Sequence, residues 1–188
     1  MLDEFMQLMY ATDRDLSSHG SRVAALSVPL ASYLGVDFDD RRRLHIAAHL
    51  HDVGKIRVDT EVVSKPGPLT AREWIQMHRH PLEGFWMVDG LVHPRIADTV
   101  VAHHERFDGS GYPFGLKGNE IPYLARILLV VDAYDAMTSD RPYQRALPHE
   151  YAMAELQRCA GTQFDPDVVD AMVSIVPAVN SLALAGSE

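Results

Sequence analysis

The stretch Tyr123 to about Ser139, YLARILLVVDAYDAMTS, reads as a long apolar helix with a carboxylate, Asp132, set in its middle. A helix this apolar is stable only when other elements cover it. A carboxylate at a core position is costly unless it is paired or bound to metal. The chain must therefore build a core around this helix and provide Asp132 with partners. The rest of the sequence supplies helices to do so. Phe5, Met6, Leu8, Met9 and Leu16 recur at three- and four-residue spacings over 3–18, and Val23, Leu26, Leu30, Tyr33 and Leu34 continue the pattern to Gly35. Pro29 falls inside that second run and predicts a kink. Asp39 or Asp40 is placed to cap a helix running to His51, which ends near Gly54. Thr70 and Glu73 form a capping-box pattern ahead of a helix through about Met77. Pro81, Pro94, Pro148 and Pro166 mark the starts of further helices, the last of which follows Asp165 and runs to about Val176. Residues 106–122, RFDGSGYPFGLKGNEIP, form the one long loop. Val58 to Val63 is the only piece that reads as extended. The expected fold is all-α, a single-domain bundle of about seven to nine helices. Residues 1–18 form a helix leading in, 19–176 the domain and 177–188 a frayed tail.

Composition narrows the function classes. A length of 188 residues suits one domain with a real core, and 47% hydrophobic residues exclude disorder. No apolar run approaches the roughly 20 residues of a membrane span. The opening MLDEFMQLMY is acidic and amphipathic, unlike a secretory signal. The single cysteine, Cys159, cannot form an internal disulfide, which fits a reducing cytoplasm. A net charge of −9 argues against extended nucleic-acid binding, but leaves room for a small phosphate ligand held by a few cations or metal ions.

The ten histidines carry most of the chemical information. His19, the doublet His51–Asp52, His80, the doublet His103–His104 and Asp132 are all imidazoles or carboxylates, ligands suited to Fe, Mn, Zn, Co or Ni. Without cysteine among them, a structural zinc finger is excluded. Each comes from a different helix or helix end, as in metal sites built inside helical bundles. Adjacent helical residues point about 100° apart, so a doublet serves two ions, or one ion from a helix end. Asp52 has two oxygens and is able to bridge two metals, the arrangement used for in-line attack on phosphodiesters. A second grouping competes: His45, His49 and Asp52 share one helix face, and spacing alone does not choose between that triplet and His51–Asp52.

The ordered segments HDVGK (51–55), KPGPLT (65–70), HP (80–81), HHERFDGSGYP (103–113), IP (121–122), ARILLVVDAYDAMTSDRPY (125–143) and FDP (164–166) resemble the HD-GYP family, bacterial phosphodiesterases of the HD superfamily. The resemblance covers His19 to about Val176. It implies an HD-domain-like bundle whose core site holds two divalent metal ions, with Fe or Mn favoured. One ion would sit on His19, His51, Asp52 and Asp132, the other on Asp52, His80, His103 and His104. His45 and His49 then become ordinary histidines, with His49 where the family usually has an aliphatic residue. Asp15 stands where some members use a glutamate to hold a third metal.

The implied reaction is hydrolysis of cyclic di-GMP to linear pGpG, and in many members to GMP, by a hydroxide bridging the two metals. Lys55 and Arg141 match basic substrate-contacting positions. Tyr112 can set an aromatic face and a hydroxyl beside the ligand, while Gly109 and Gly111 permit tight turns. Asp135 is a candidate for orienting water or protonating the leaving oxygen. The loop is also a proposed docking surface for GGDEF-domain proteins, and an attached sensor or receiver domain is common in the family. Gln144 replaces a frequent second basic residue, Asp59–Thr60 the usual Pro–Asp, and Ser21 a frequently acidic residue; all bear on affinity and leave the ligands in place. Two other functions keep the same fold: a non-catalytic cyclic-dinucleotide receptor or docking module, and a hydrolase of a different cyclic dinucleotide.

Overall fold

A computed structural model describes residues 14–140 and 145–185, with side chains over 18–140 and 145–175. It contains α1 (Arg14–Tyr33), α2 (Phe38–Leu50), a 3-10 turn (Val53–Arg57), the single helical turn α3 (Thr60–Val63), α4 (Ala71–Met77), α5 (His80–Val88) and α6 (Pro94–Ala102). A second 3-10 turn (Gly118–Glu120) follows, then α7 (Tyr123–Thr138), α8 (His149–Arg158) and α9 (Pro166–Ala185). Among the described residues there is no β-strand beyond an isolated bridge between Ala160 and Phe164. None of the described helices is long and apolar enough to cross a membrane.

The apolar α7 is enclosed as its sequence demands. Leu128, Val130 and Val131 pack with Val23 and Leu30 of α1, Leu44 of α2, Leu156 of α8 and Met172 of α9 in the main core. A smaller core of Leu50, Val53, Val88, Ile96 and Val100 joins α2, the first 3-10 turn, α5 and α6. These two cores fix the ends of α2, α5 and α6 relative to the middle of α1 and α7.

Several local expectations change. α1 runs through Gly20 as one helix and holds Pro29 within it. Gly20 sits where a Cβ would lie 3.3 Å from the His49 Cα, so glycine there serves close packing of α1 on α2 and does not end the helix. The N-cap of α2 is Asp37, whose Oδ1 accepts from the Asp40 amide at 2.9 Å, rather than Asp39 or Asp40. Asp40 instead turns inward and pairs with Arg43 and Arg95. Residues 60–63 form a helical turn, not an extended piece. The Thr70–Glu73 capping box opens α4 as read. The last helix continues to Ala185, past the end expected near Val176.

Candidate metal centre

Helix ends create the site. His51 is the C-cap of α2, and Asp52 begins the 3-10 turn with φ −95° and ψ 3°. Leaving the helix between these two residues lets both side chains reach one centre, which neighbours inside a helix do not. His103 likewise caps α6, with His104 just beyond it, and His80 is the first residue of α5. His19 and Asp132 complete the set from within α1 and α7.

The seven side chains form two groups that could each hold a metal ion: His19, His51 and Asp132, and Asp52, His80, His103 and His104. Asp52 faces both. Its Oδ1 lies 3.4 Å from His80 Nε2 and 4.0 Å from His103 Nε2. Its Oδ2 lies 3.5 Å from His51 Nε2 and 3.9 Å from His19 Nε2. His19 Nε2 is 3.1 Å from Asp132 Oδ1. The alternative triplet is not assembled: His45 and His49 pair their rings 4.9 Å apart on α2, and neither joins the two groups.

In three of the five imidazoles a backbone carbonyl on the second nitrogen prepares the first. His51, His80 and His103 donate from Nδ1 to the carbonyls of Ala48, Met77 and Val100 at 2.8, 2.7 and 2.6 Å. That partner fixes the proton on Nδ1 and leaves the Nε2 lone pair aimed into the centre. Burial lowers His80 to about 4 and His104 to about 3, and holds His103 well below its ordinary value, so these rings are neutral as metal binding requires. Burial would raise the Asp52 and Asp132 carboxyls, but Lys55 beside Asp52 and the His19 hydrogen bond to Asp132 hold both well below the usual range. Burial also opposes charge on His19, but hydrogen bonds to Asp132 and Asp135 outweigh it and raise that imidazole to about 9. The neutral rings of His80, His103 and His104 and the ionised oxygens of Asp52 and Asp132 converge here, His19 would give up its proton to a metal, and the set fits a pair of divalent cations.

The other expected site residues fall as follows. Asp135 is more deeply buried than Asp132, which keeps a narrow opening to solvent. Asp135 Oδ2 accepts from His19 Nδ1 at 2.8 Å, and both its oxygens accept from Arg22, at 2.7 and 2.9 Å. Despite burial, those bonds bring Asp135 down to about 2, which suits an orienting carboxylate better than a proton donor. Lys55 Nζ lies on Asp52 Oδ2 at 2.6 Å. The Tyr112 ring lies 4.9 Å from that of His104, at 31°. Gly109 takes φ +85°, while Gly111 is needed for space: a Cβ there would meet the Arg106 amide nitrogen at 2.2 Å. Arg141 and Gln144 lie outside the described residues, as does the side chain of Asp15.

Two residues of the site carried no separate signal in the sequence reading. Arg22 lies three residues after His19, one helical turn on, where it reaches Asp135. Glu105, next to the His103–His104 doublet, is buried, and its two oxygens accept from the Phe114 and Leu116 amides at 2.7 and 3.0 Å. It clamps the long loop to the metal centre. Its place inside a ligand motif, flanked by His104 and Arg106, is the one sequence signal that marks it.

Comparison with known proteins agrees with this geometry. The family model of the HD domain matches residues 5–168. The cyclic di-GMP phosphodiesterase response regulator RpfG of Xanthomonas campestris pv. campestris (strain 8004) is 41% identical over 164 residues, 86% of this chain and 43% of that protein. The 3'3'-cGAMP-specific phosphodiesterase 3 of Vibrio cholerae serotype O1 is 34% identical over 169 residues, 89% of this chain and 37% of that protein. The chain thus spans less than half the length of these relatives. Among solved structures, Bd1817, an HDG"Y"P protein from Bdellovibrio bacteriovorus, matches with a TM-score of 0.71 at 22% identity, over 86% of this chain and 52% of that one. At that identity the likeness speaks for the fold alone. With the family model spanning most of its length and the HHERFDGSGYP segment folded beside the ligands, the chain belongs to the HD domain family and is of the HD-GYP type.

Proposed function

We propose that this chain is a metal-dependent phosphodiesterase that opens cyclic di-GMP to linear pGpG. The observation that carries the proposal is Asp52, whose two oxygens face two separate ligand groups. The name of the relative RpfG supplies the substrate. When bound, two divalent ions would lower the pKa of water and neutralise charge on the non-bridging phosphoryl oxygens. In this reading His19, His51, Asp52 and Asp132 hold one ion and Asp52, His80, His103 and His104 the other. Fe or Mn suits this histidine and carboxylate set. Asp15, one turn before His19 in sequence, is the place for a third.

The chain's own residues do the rest. Arg22 holds Asp135, and Asp135 holds the His19 ring. Lys55 balances Asp52 and, with ions in place, supplies a point charge to a phosphate oxygen. Arg141 is assigned a second phosphate contact. Tyr112 lines the approach beside His104. The long loop presents Phe114 to solvent, which supports a GGDEF-domain protein as a partner. A sensor or receiver domain and a cytoplasmic setting belong to the same proposal.

The test is turnover of cyclic di-GMP by protein purified without oxygen, with metal content measured on the same sample. About two ions per chain and pGpG formed, both lost in Asp52→Ala, are expected. Full activity in Asp52→Ala would refute the bridging role. A second reading, hydrolysis of 3'3'-cGAMP, is favoured by the Vibrio cholerae relative. Comparing kcat/KM for the two rings decides between them.

A further inference from the structure

We infer that Trp74, set beside a His78 ring that stacks on Tyr112, forms with that ring the subsite for a purine base of the substrate, an inference that rests on the cyclic dinucleotide reading. α4 buries none of its residues. A helix that adds nothing to the core has little reason to carry an indole, yet Trp74 is 46% exposed and His78 is also exposed. The two lie one helical turn apart and share a face of the chain as it leaves α4. Their rings extend a chain of pairwise contacts that starts at the metal centre, the last of them tilted at 52°. His104 lies 4.9 Å from Tyr112 at 31°, Tyr112 stacks on His78 at 4.0 Å and 21°, and His78 lies 5.2 Å from Trp74.

Both ends of this strip are fixed. The Tyr112 amide donates to the His104 carbonyl at 3.2 Å, so the loop carrying the tyrosine is tied to a ligand residue. The start of α4 is held by the Thr70–Glu73 capping box and by Lys65, whose Nζ meets Glu73 Oε2 at 2.6 Å.

Continuity with the ligands selects the occupant. A cyclic dinucleotide with its phosphate at the metal centre carries a flat purine one sugar away. The phosphate is met by charge from Lys55 and the ions, and the base needs a π surface. Aromatic strips bind bases through stacking, which is worth about 1–3 kcal/mol per base, or about 5- to 150-fold in affinity. A protein docking surface would have no need to begin on a ligand histidine.

The experiment uses Mn-loaded protein and two substrates, cyclic di-GMP and the base-free diester bis(p-nitrophenyl) phosphate. In Trp74→Ala and His78→Ala, the ratio of kcat/KM on cyclic di-GMP to kcat/KM on the base-free diester is expected to fall about 5- to 100-fold, mainly through KM. Trp74→Phe should restore most of it. A binding readout runs beside this. The chain has two tryptophans, so Trp86→Phe leaves Trp74 as the sole reporter, and pGpG should quench its emission to saturation. An unchanged ratio, or pGpG bound by equilibrium dialysis without quenching, overturns the subsite while leaving the substrate reading in place. Cleavage of the base-free diester without binding of cyclic di-GMP or pGpG would remove the substrate reading and the subsite with it.

Discussion

Gly54→Ala is expected to separate the two halves of the metal centre. Gly54 lies in the 3-10 turn two residues after Asp52 and packs directly on the start of α5. A Cβ there would lie 1.9 Å from the His80 carbonyl oxygen, 2.5 Å from the Gly84 amide nitrogen and 2.9 Å from the His80 carbonyl carbon. All three are backbone atoms, so no side chain can swing aside. Restoring an ordinary contact near 3.4 Å requires the turn and α5 to part by about 1.5 Å. Asp52 Oδ1 and His80 Nε2 stand 3.4 Å apart across that same junction. Metal–ligand distances tolerate only about 0.2 Å, so the group Asp52, His80, His103 and His104 should lose its ion. The group His19, His51 and Asp132 lies on the far side of Asp52 and should keep its own. Overpacking of this kind costs about 1–3 kcal/mol or more, and an ångström of misplacement costs about 100-fold in rate. After anaerobic loading, elemental analysis should report one ion per chain instead of two, with turnover down at least about 100-fold. Gly35→Ala is the control. Its φ of +74° brings strain, but nothing lies within 4 Å, so ion content should not change. Two ions and normal turnover in Gly54→Ala would refute the claim that this backbone contact aligns the site.

Three further outcomes are expected. Asp135→Asn removes the charge that orients His19, and ion affinity at His19, His51 and Asp132 should fall about 10- to 100-fold in chelator competition. A loss of kcat with affinity intact would instead give Asp135 the proton-donor role. Glu105→Gln replaces a carboxylate that accepts two loop amides with a single acceptor oxygen, costing about 1–3 kcal/mol. Thermal unfolding should drop by about 2–4 °C per kcal/mol, and KM should rise as Tyr112 loses its anchor; an unchanged melt would refute the clamp. His19, raised to about 9 in the folded chain, stabilises metal-stripped protein fully below its ordinary value of 6.5 and loses that contribution as pH rises through 9. The loss is on the order of 3–4 kcal/mol. It should vanish in His19→Gln, and the same pH slope in that variant would remove His19 as its source.

The ligands were legible because their chemistry is carried by residue type, and the helix ends because proline, glycine and the Thr70–Glu73 pair act locally. Composition and spacing left His51–Asp52 and the His45–His49–Asp52 triplet equal; only the resemblance, and then the turn after α2, separated them. What stayed hidden depends on packing between distant segments. The sequence points to Asp132 as the core carboxylate of α7, but the more deeply buried one is Asp135, because α1 brings Arg22 and His19 onto its side of the helix. Asp37 outcompeted Asp39 and Asp40 as the cap of α2 because Arg95, 55 residues downstream of Asp40, draws that carboxylate inward. The close approach of Gly54 to His80 and the burial of Glu105 are tertiary facts of the same kind.

The arrangement of the core predicts how the protein responds to metal removal. The main cluster joins α1, α2, α7, α8 and α9 through apolar residues such as Leu30, Leu44, Leu128, Leu156 and Met172. Folding therefore rests on apolar burial, and the ions add only their binding free energy to the folded state. The carboxylates that the ions would neutralise also have cations of the chain beside them, Lys55 at Asp52 and the protonated His19 at Asp132. This differs from small zinc domains, in which the metal substitutes for a core and its removal unfolds the chain. A chelator should abolish turnover while far-UV circular dichroism stays helical. The melting temperature should fall by an amount that depends on the free metal concentration used before stripping, since the added stability follows RT ln(1 + [L]/Kd). Reloading with Mn or Fe should restore turnover without a refolding step. Loss of the helical signal at ambient temperature on chelation would show that the ions hold the bundle together, and would overturn the separation of core from site.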